Sequence, residues 1–149
     1  MNKLNNFKLE LLLEKREKSK DSHTDKYSLF VINNKVNYSW EHWGYPDQEN
    51  KSKSFNLSEK KLEKLVEYIM NNKLNITIEE NRKTDKMGLS ISIDLKMEMD
   101  NKSSRIIING MYNDWTKRDK ENTSNIKHVN YCNTIESIIT SIENDLDYF

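Results

Sequence analysis

Aromatic side chains crowd one short stretch of this sequence, residues 38–46, and they are its first candidates for a binding site. On a strand, Trp40 and His42 would face one way and Trp43 the other. The inward-facing Trp40 would then belong to a hydrophobic core, because large aromatic side chains are usually buried. The outward-facing Trp43, with Tyr45 in the turn that follows, would suit the centre of a protein interface, where Trp and Tyr are enriched.

We therefore predict a partner-binding surface that contains Trp43, Tyr45 and His42, with Trp115 as a further candidate. The partner would be another protein or a second copy of the chain. The alternative is a nucleic acid or nucleotide that stacks on Trp40, Trp43 and Tyr45 beside nearby lysines. The sequence does not favour this alternative, because its formal net charge is zero and a nucleic-acid-binding domain is usually basic.

Pairs of residues that could carry catalysis are few. Glu41 and His42 are neighbours, and neighbours on a strand point to opposite faces, so they cannot easily serve one acid–base site. Asp47, across the following loop, is the other carboxylate that could pair with His42. His128 and Cys132 are four residues apart and could share a helical face as a nucleophilic pair, but Cys132 also fits as a small apolar residue near a helix start.

Metal, phosphate and cofactor sites have no sequence signature here. A zinc site needs three or four ligands, and the chain has one cysteine and three histidines without a second Cys/His pair. The glycines, Gly44, Gly88 and Gly110, do not cluster into a dinucleotide-binding or P-loop motif. We expect no metal, no cofactor and no enzymatic activity, and hence an accessory, inhibitor or immunity-type protein.

Composition and length favour a single folded domain. A chain of 149 residues can bury enough surface for one core without metals or disulfides. The apolar residues, including Met, Cys and aromatics, make up 35% of the chain and the charged residues 32%, yet the apolar ones fall in periodic runs. No run resembles a signal peptide or a transmembrane helix, so we expect a cytoplasmic protein that does not contact the membrane. The Lys- and Asn-rich composition, with no alanine, suggests an AT-rich bacterial genome.

Period-two alternation of apolar and polar residues predicts most of the strands. Asn33-Asn34-Lys35 predicts a tight hairpin turn between two of them, because asparagine tolerates positive φ. The unbroken apolar runs 29–32 and 106–108 predict interior strands with both faces at least partly covered. The predicted strands are Phe7–Leu13, Tyr27–Ile32, Val36–His42, Ile76–Glu80, Leu89–Met99 and Arg105–Tyr112.

Two amphipathic helices follow from capping signals and apolar stripes. Ser58 is the predicted N-cap of the first, with Leu62, Leu65, Val66 and Ile69 as its stripe and an end at residues 71–72. The second would begin at Asn133, which has capping-box spacing to Glu136. Polar segments 15–26 and 44–54 are predicted loops, and 113–130 is predicted to be irregular or mobile.

Together these elements predict an α+β domain spanning residues 1–149, with the order β-β-β-α-(β)-β-β-α. Strands joined by tight turns pair antiparallel, so we expect a mainly antiparallel sheet of five to six strands. Two amphipathic helices can cover one face of such a sheet. Whether the lysine groups at 60–64, 82–86 and 117–120 converge into one patch does not follow from the sequence.

Overall fold

A computed structural model describes residues 6–18, 22–81, 88–111 and 123–144 of the chain. These residues form seven strands and two helices. The strands are β1 (Lys8–Lys18), β2 (His23–Ile32), β3 (Lys35–Gly44), β4 (Glu49–Asn56), β5 (Ile78–Asn81), β6 (Gly88–Met99) and β7 (Lys102–Met111). The helices are α1 (Glu59–Asn71) and α2 (Thr123–Glu143).

The seven strands form one sheet in the order β4-β3-β2-β1-β6-β7-β5. All neighbouring strands pair antiparallel except β5, which lies parallel to β7. The α+β prediction is confirmed. The sheet is mainly antiparallel, as predicted, but it has seven strands in place of five to six and is mixed, because β5 pairs parallel to β7. The element order in the described residues is β-β-β-β-α-β-β-β-α.

Two tight turns set the register of the hairpins. Asn33 has a φ of 56° and begins a two-residue turn that pairs Ile32 with Lys35. In the second hairpin, Asp100 and Asn101 have φ values of 48° and 67°. Asn and Asp adopt this left-handed conformation more readily than other residues that carry a Cβ atom, which explains their presence at these turns.

Alternation along the strands gives the sheet an inner face, which the helices cover, and an outer face, which they do not. On central strand β1, Leu9, Leu11 and Leu13 are buried on the inner face, whereas Leu12 is exposed on the outer face. The buried side chains of the inner face and both helices form one hydrophobic cluster. Lys15 Nζ adds an ion pair to Glu136 Oε1 of α2, at 2.8 Å.

Helix α1 matches its prediction closely. Ser58 is the N-cap, and its side-chain oxygen accepts a hydrogen bond from the Lys61 amide at 3.2 Å. The helix buries Leu65 and Ile69 in the core. It ends at Asn71, as predicted from the paired asparagines.

Helix α2 begins ten residues before its predicted start, at Thr123 rather than Asn133. The prediction that 113–130 is irregular is therefore wrong for 123–130, and 113–122 lies outside the described residues. Ile126 and Val129 are the only aliphatic residues between 123 and 130, so the apolar stripe there is too sparse to identify a helix in sequence. Among the α2 side chains that the structure describes, the buried ones are Cys132, Ile135, Ile138, Ile139, Ser141 and Ile142.

Two predicted loops are partly strands. Segment 44–54 contains most of β4, and segment 15–26 contains the end of β1 and the start of β2. All three strands carry mostly polar side chains there, so the hydrophobic alternation that reveals a strand is absent. The predicted covering of both faces of run 29–32 is also wrong, because Phe30 and Ile32 are exposed on the outer face.

Neither helix in the described part of the chain is long and apolar enough to cross a bilayer.

Replacement of Leu11 by alanine should destabilise the fold far more than the same replacement of its neighbour Leu12. Leu11 is fully buried and Leu12 is 41% exposed. A Leu→Ala change in a core typically costs about 2–5 kcal/mol, and an exposed one should cost under about 1 kcal/mol. Urea unfolding of the two variants measures the difference. Equal losses would contradict the assignment of the two faces.

Candidate functional site

The candidate site lies at the end of the β2–β3 hairpin farthest from its Asn33–Asn34 turn. Register pairing places Asp25 opposite His42 and Tyr27 opposite Trp40. All four side chains point to the inner face, because they alternate with the outward-facing residues of the same strands. His23 completes the group, two residues before Asp25 on the same strand face and opposite Gly44.

Asp25 holds this group together through its carboxylate. Its Oδ1 atom accepts a hydrogen bond from His42 Nδ1 at 2.7 Å and another from Trp40 Nε1 at 3.1 Å. His23 Nε2 lies 3.9 Å from the other carboxylate oxygen, and the His23 ring stacks on the His42 ring with centroids 5.4 Å apart. We call these four residues the Asp25 cluster: His23, Asp25, Trp40 and His42.

The surroundings of His42 favour its charged imidazolium form. Its Nδ1 faces the Asp25 carboxylate and its Nε2 faces the backbone oxygen of Tyr45, each at 2.7 Å. Both partners are acceptors, so both ring nitrogens must donate, and only the charged form carries two N–H groups. The hydrogen bond to Asp25, and then the one to the Tyr45 carbonyl, raise the pKa of His42 above its ordinary value.

The Tyr45 carbonyl belongs to a turn that is fixed from both sides. His42 binds its oxygen, and the Tyr45 amide donates to the Ser22 carbonyl at 3.0 Å. Gly44 has a φ of 96°, which residues with a side chain rarely adopt. A Cβ atom at Gly44 would also collide with the Ser22 carbonyl oxygen, so both the conformation and the contact require glycine.

This turn exposes two large aromatic side chains. Trp43 is 46% exposed and Tyr45 is 58% exposed. Trp43 projects from the outer face, where its Nε1 donates to Glu41 Oε2 at 3.2 Å. We call Trp43, Gly44 and Tyr45 the aromatic turn.

Trp40 and Trp43 lie on opposite faces of the sheet, as predicted. Trp40 is partly buried against the core, and Lys51 Nζ lies 5.3 Å from the centroid of its ring. The lysine therefore occupies a face of Trp40 by a cation–π contact. Trp40 and Trp43 cannot form one continuous stacking platform.

The end of helix α2 is attached to the same part of the sheet. Tyr38 Oη donates to Glu143 Oε2, and Lys53 Nζ donates to the Glu143 carbonyl, each at 3.1 Å. Burial, with the nearby Asp25, Glu143 and Glu136 carboxylates, raises the pKa of Tyr27 to about 12. Burial and Glu143 raise the pKa of Tyr38 as well. These phenols stay protonated and serve as structural donors.

The structure brings together some of the predicted site residues and not others. Trp43 and Tyr45 are both exposed, two residues apart in the chain. His42 points to the inner face, where its ring binds the Tyr45 carbonyl. Trp115 lies outside the described residues. The predicted alternative partner of His42, Asp47, is replaced by Asp25, a residue that the sequence analysis did not single out.

Cys132 is a core residue. It is fully buried, and burial raises the pKa of its thiol to about 12. The side chain of His128 lies outside the described residues, and the sequence favoured the structural role of Cys132 over a pair with His128. A thiol with such a raised pKa is a weak nucleophile at neutral pH.

Metal and phosphate chemistry gains no support from the described residues. Within them, no group of three or more His, Cys, Asp or Glu side chains is placed to hold a metal ion. Of the three lysine groups, 82–86 and 117–120 lie outside the described ranges. Lys60, Lys61 and Lys64 lie on α1.

A separate groove of about 600 Å³ lies between α1 and the β6–β7 hairpin. Val66, Met70, Met97 and Met99 supply its apolar lining. The register places it at the opposite end of the strands from the aromatic turn. It contains none of the predicted site residues.

No protein-family model matches this sequence, and no curated protein matches it either.

The stabilisation by His42 should depend on pH. Because the folded-state pKa of His42 is raised above 6.5, its contribution is complete below that value and is lost as pH rises through the folded-state pKa. Urea unfolding of the wild type and His42→Gln should therefore differ most at about pH 6 and least at about pH 9.

His23→Gln serves as the control, because it keeps the Asp25–His42 contact and should retain that pH dependence. A stability difference between wild type and His42→Gln that grows with pH would contradict the imidazolium assignment.

Cys132 should not react with a thiol reagent in the folded protein. Its burial excludes the reagent, and its raised pKa leaves little thiolate. Labelling at about pH 8 should proceed only after unfolding by urea. Cys132→Ser should cost about 1–3 kcal/mol, because it buries a hydroxyl group in an apolar site. Rapid labelling of the native protein would refute this assignment.

Proposed function

We propose that this chain is a non-enzymatic protein-binding module, and that the aromatic turn is its contact site for another protein. The observation that carries the proposal is the exposure of two neighbouring aromatic side chains, Trp43 and Tyr45, on a turn fixed by hydrogen bonds. Exposed Trp and Tyr are the residues that contribute most to protein interfaces.

The rigidity of the turn strengthens this argument. Binding costs entropy when loops and side chains become ordered, and a preformed surface avoids part of that cost. Here the Asp25–His42–Tyr45 chain of hydrogen bonds and the Ser22–Tyr45 bond fix the backbone before any partner arrives. Trp and Tyr side chains add large contact areas with few rotatable bonds.

The titratable groups support a binding role over a catalytic one. The resolved pKa shifts of Tyr27, Tyr38, His42 and Cys132 all favour the protonated form. A nucleophilic thiol needs a lowered pKa, and His42 has no ring nitrogen free to act as a general base, because Nδ1 faces Asp25 and Nε2 faces the Tyr45 carbonyl. The polar groups around Asp25 are used to build the turn.

The nucleic-acid alternative has less support. Its stacking surface required Trp40, Trp43 and Tyr45 together with lysines, and the sheet separates Trp40 from Trp43. Lys51 already covers the Trp40 ring, and Trp43 is hydrogen-bonded to the acidic Glu41. As part of the same proposal, we expect an accessory, inhibitor or immunity-type protein of a bacterial cytoplasm, where a free cysteine stays reduced.

Trp43→Ala should abolish most partner binding and leave the fold intact. Trp40→Ala should instead lower stability, near the low end of the ~3–5 kcal/mol typical of buried tryptophan, because Trp40 is only partly buried. For Trp43 and Tyr45 the loss should appear in affinity, by about 2 kcal/mol or more for a true hot spot. Capture from extracts of the native host, followed by affinity measurements with the captured protein, tests this.

Met70→Ala provides a matched control, since Met70 is similarly exposed on a different surface, at 48%. The proposal fails if Trp43→Ala and Tyr45→Ala bind the captured protein as tightly as the Met70 variant does. It also fails if the protein binds oligonucleotides, if this binding weakens steeply with salt, and if it depends on Trp43 and Tyr45.

A further inference from the structure

The outer face of the sheet carries three large apolar side chains that the core does not use. Leu12, Phe30 and Ile32 are 41%, 37% and 50% exposed. Phe30 lies opposite Glu10 in the β1–β2 register, so Leu12, two residues from Glu10, is its diagonal neighbour. Ile32 lies two residues from Phe30 on the same strand face. We call these three residues the outer triad.

We propose that the outer face joins two copies of this chain into a dimer, around a two-fold axis that runs parallel to the strands between β1 and β2. Sheets that pack face to face keep their strands nearly aligned, and rotation about such an axis preserves the strand direction. The outer triad then lies beside the axis in both copies, where Ile32 and Phe30 pack against the methylene groups of Lys8 and Glu10 of the second copy.

The order of the strands makes this axis nearly central. Six strands stand in the sequence β4-β3-β2-β1-β6-β7, with short β5 beyond them at the edge. Rotation places β2 of one copy over β1 of the second, β3 over β6, and β4 over β7. The four rows from Lys8 to Glu14 are therefore covered across these six strands, and only β5 extends past the overlap.

Under this rotation, two pairs of opposite charges on the outer face meet between the copies. The strand registers place Lys35, Ile32, Lys8 and Glu98 in one row across the sheet. Lys35 of one copy then faces Glu98 of the second. In a row further along, Lys26 faces Glu14 of the second copy.

The other charged residues face neutral side chains of the second copy. No two like charges oppose each other in the four rows from Lys8 to Glu14. The remaining pairs, first copy to second, are Lys8 to Ile32, Glu10 to Phe30, Lys96 to Asn37, Asp94 to Ser39, Arg105 to Ser54 and Glu41 to Ser92.

The overlapping area suits a stable dimer. Six strands spaced roughly 4.8 Å apart and about eight residues long cover an area close to the ~800 Å² per partner of a standard protein interface. The aromatic turn lies beyond these four rows, so this inference does not rest on the proposed function.

The Lys35–Glu98 contact gives a test that separates contacts between copies from contacts within one. In a single chain, β2 and β1 lie between β3 and β6, so the two residues are roughly 14 Å apart. Glu98 has its own neighbour, Lys8 Nζ, at 4.0 Å, with both side chains more than half exposed. Reversal of either charge should therefore leave the fold of the monomer intact.

Sedimentation velocity on the full chain over a range of concentrations should show a monomer–dimer equilibrium. Lys35→Glu alone and Glu98→Lys alone should each raise the dimer dissociation constant about tenfold or more, because each homodimer then contains two like-charge contacts. An equimolar mixture of the two variants should restore dimerisation, since both contacts of the mixed dimer again join opposite charges.

Phe30→Asp should give a monomer, and Met70→Glu, which places a charge at an exposed apolar residue of α1, should remain dimeric. Thermal melts confirm that each variant is folded. The inference is overturned if the wild type stays monomeric at every concentration, which would leave the outer face to a different occupant. It is also overturned if a dimer forms that Phe30→Asp does not weaken, or if the two charge variants fail to associate when mixed.

Discussion

The register of the β2–β3 hairpin is the constraint on which the rest of this structure depends. The two-residue turn at Asn33 and Asn34 pairs residues equally distant from it, and so buries Leu29 and Val31 together with Val36 and Tyr38. A slip of one residue would exchange the two faces of a strand. It would remove the hydrophobic side chains from the helices and separate Asp25 from His42. Core packing and the candidate site thus share one cause.

The same register shows how much of the site could be predicted from the sequence. Asp25 lies eight residues before Asn33, and His42 lies eight residues after Asn34, so a two-residue turn alone places them opposite each other. The alternation of Trp40 and Trp43 was predicted correctly for the same reason. The contact of the Tyr45 carbonyl with His42 could not be predicted, because it depends on the path of the chain after Gly44. The parallel pairing of β5 with β7 also has no local signal.

The sequence analysis missed a strand and the start of a helix where few apolar residues mark a buried face. Strand β4 and the first turns of α2 are rich in polar side chains, and a polar segment without periodicity is indistinguishable from a loop. Run 29–32 illustrates the opposite ambiguity. Phe30 and Ile32 could reflect a second covering layer within the chain or an apolar outer face, and consecutive apolar residues cannot distinguish the two. The structure shows the second arrangement, because both side chains are exposed.

The aromatic turn and the outer triad occupy different parts of the sheet and can act together. Trp43 is paired with Thr24, which lies six residues along β2 from Phe30, or about 20 Å. A two-fold axis parallel to the strands keeps each row of the sheet at the same height in both copies. A dimer built on the outer triad would therefore present both aromatic turns at the same end. A partner with two matching sites could then bind both turns at once, and the second contact would form at a high effective concentration. Modest affinity at one turn would be enough for tight binding by the pair.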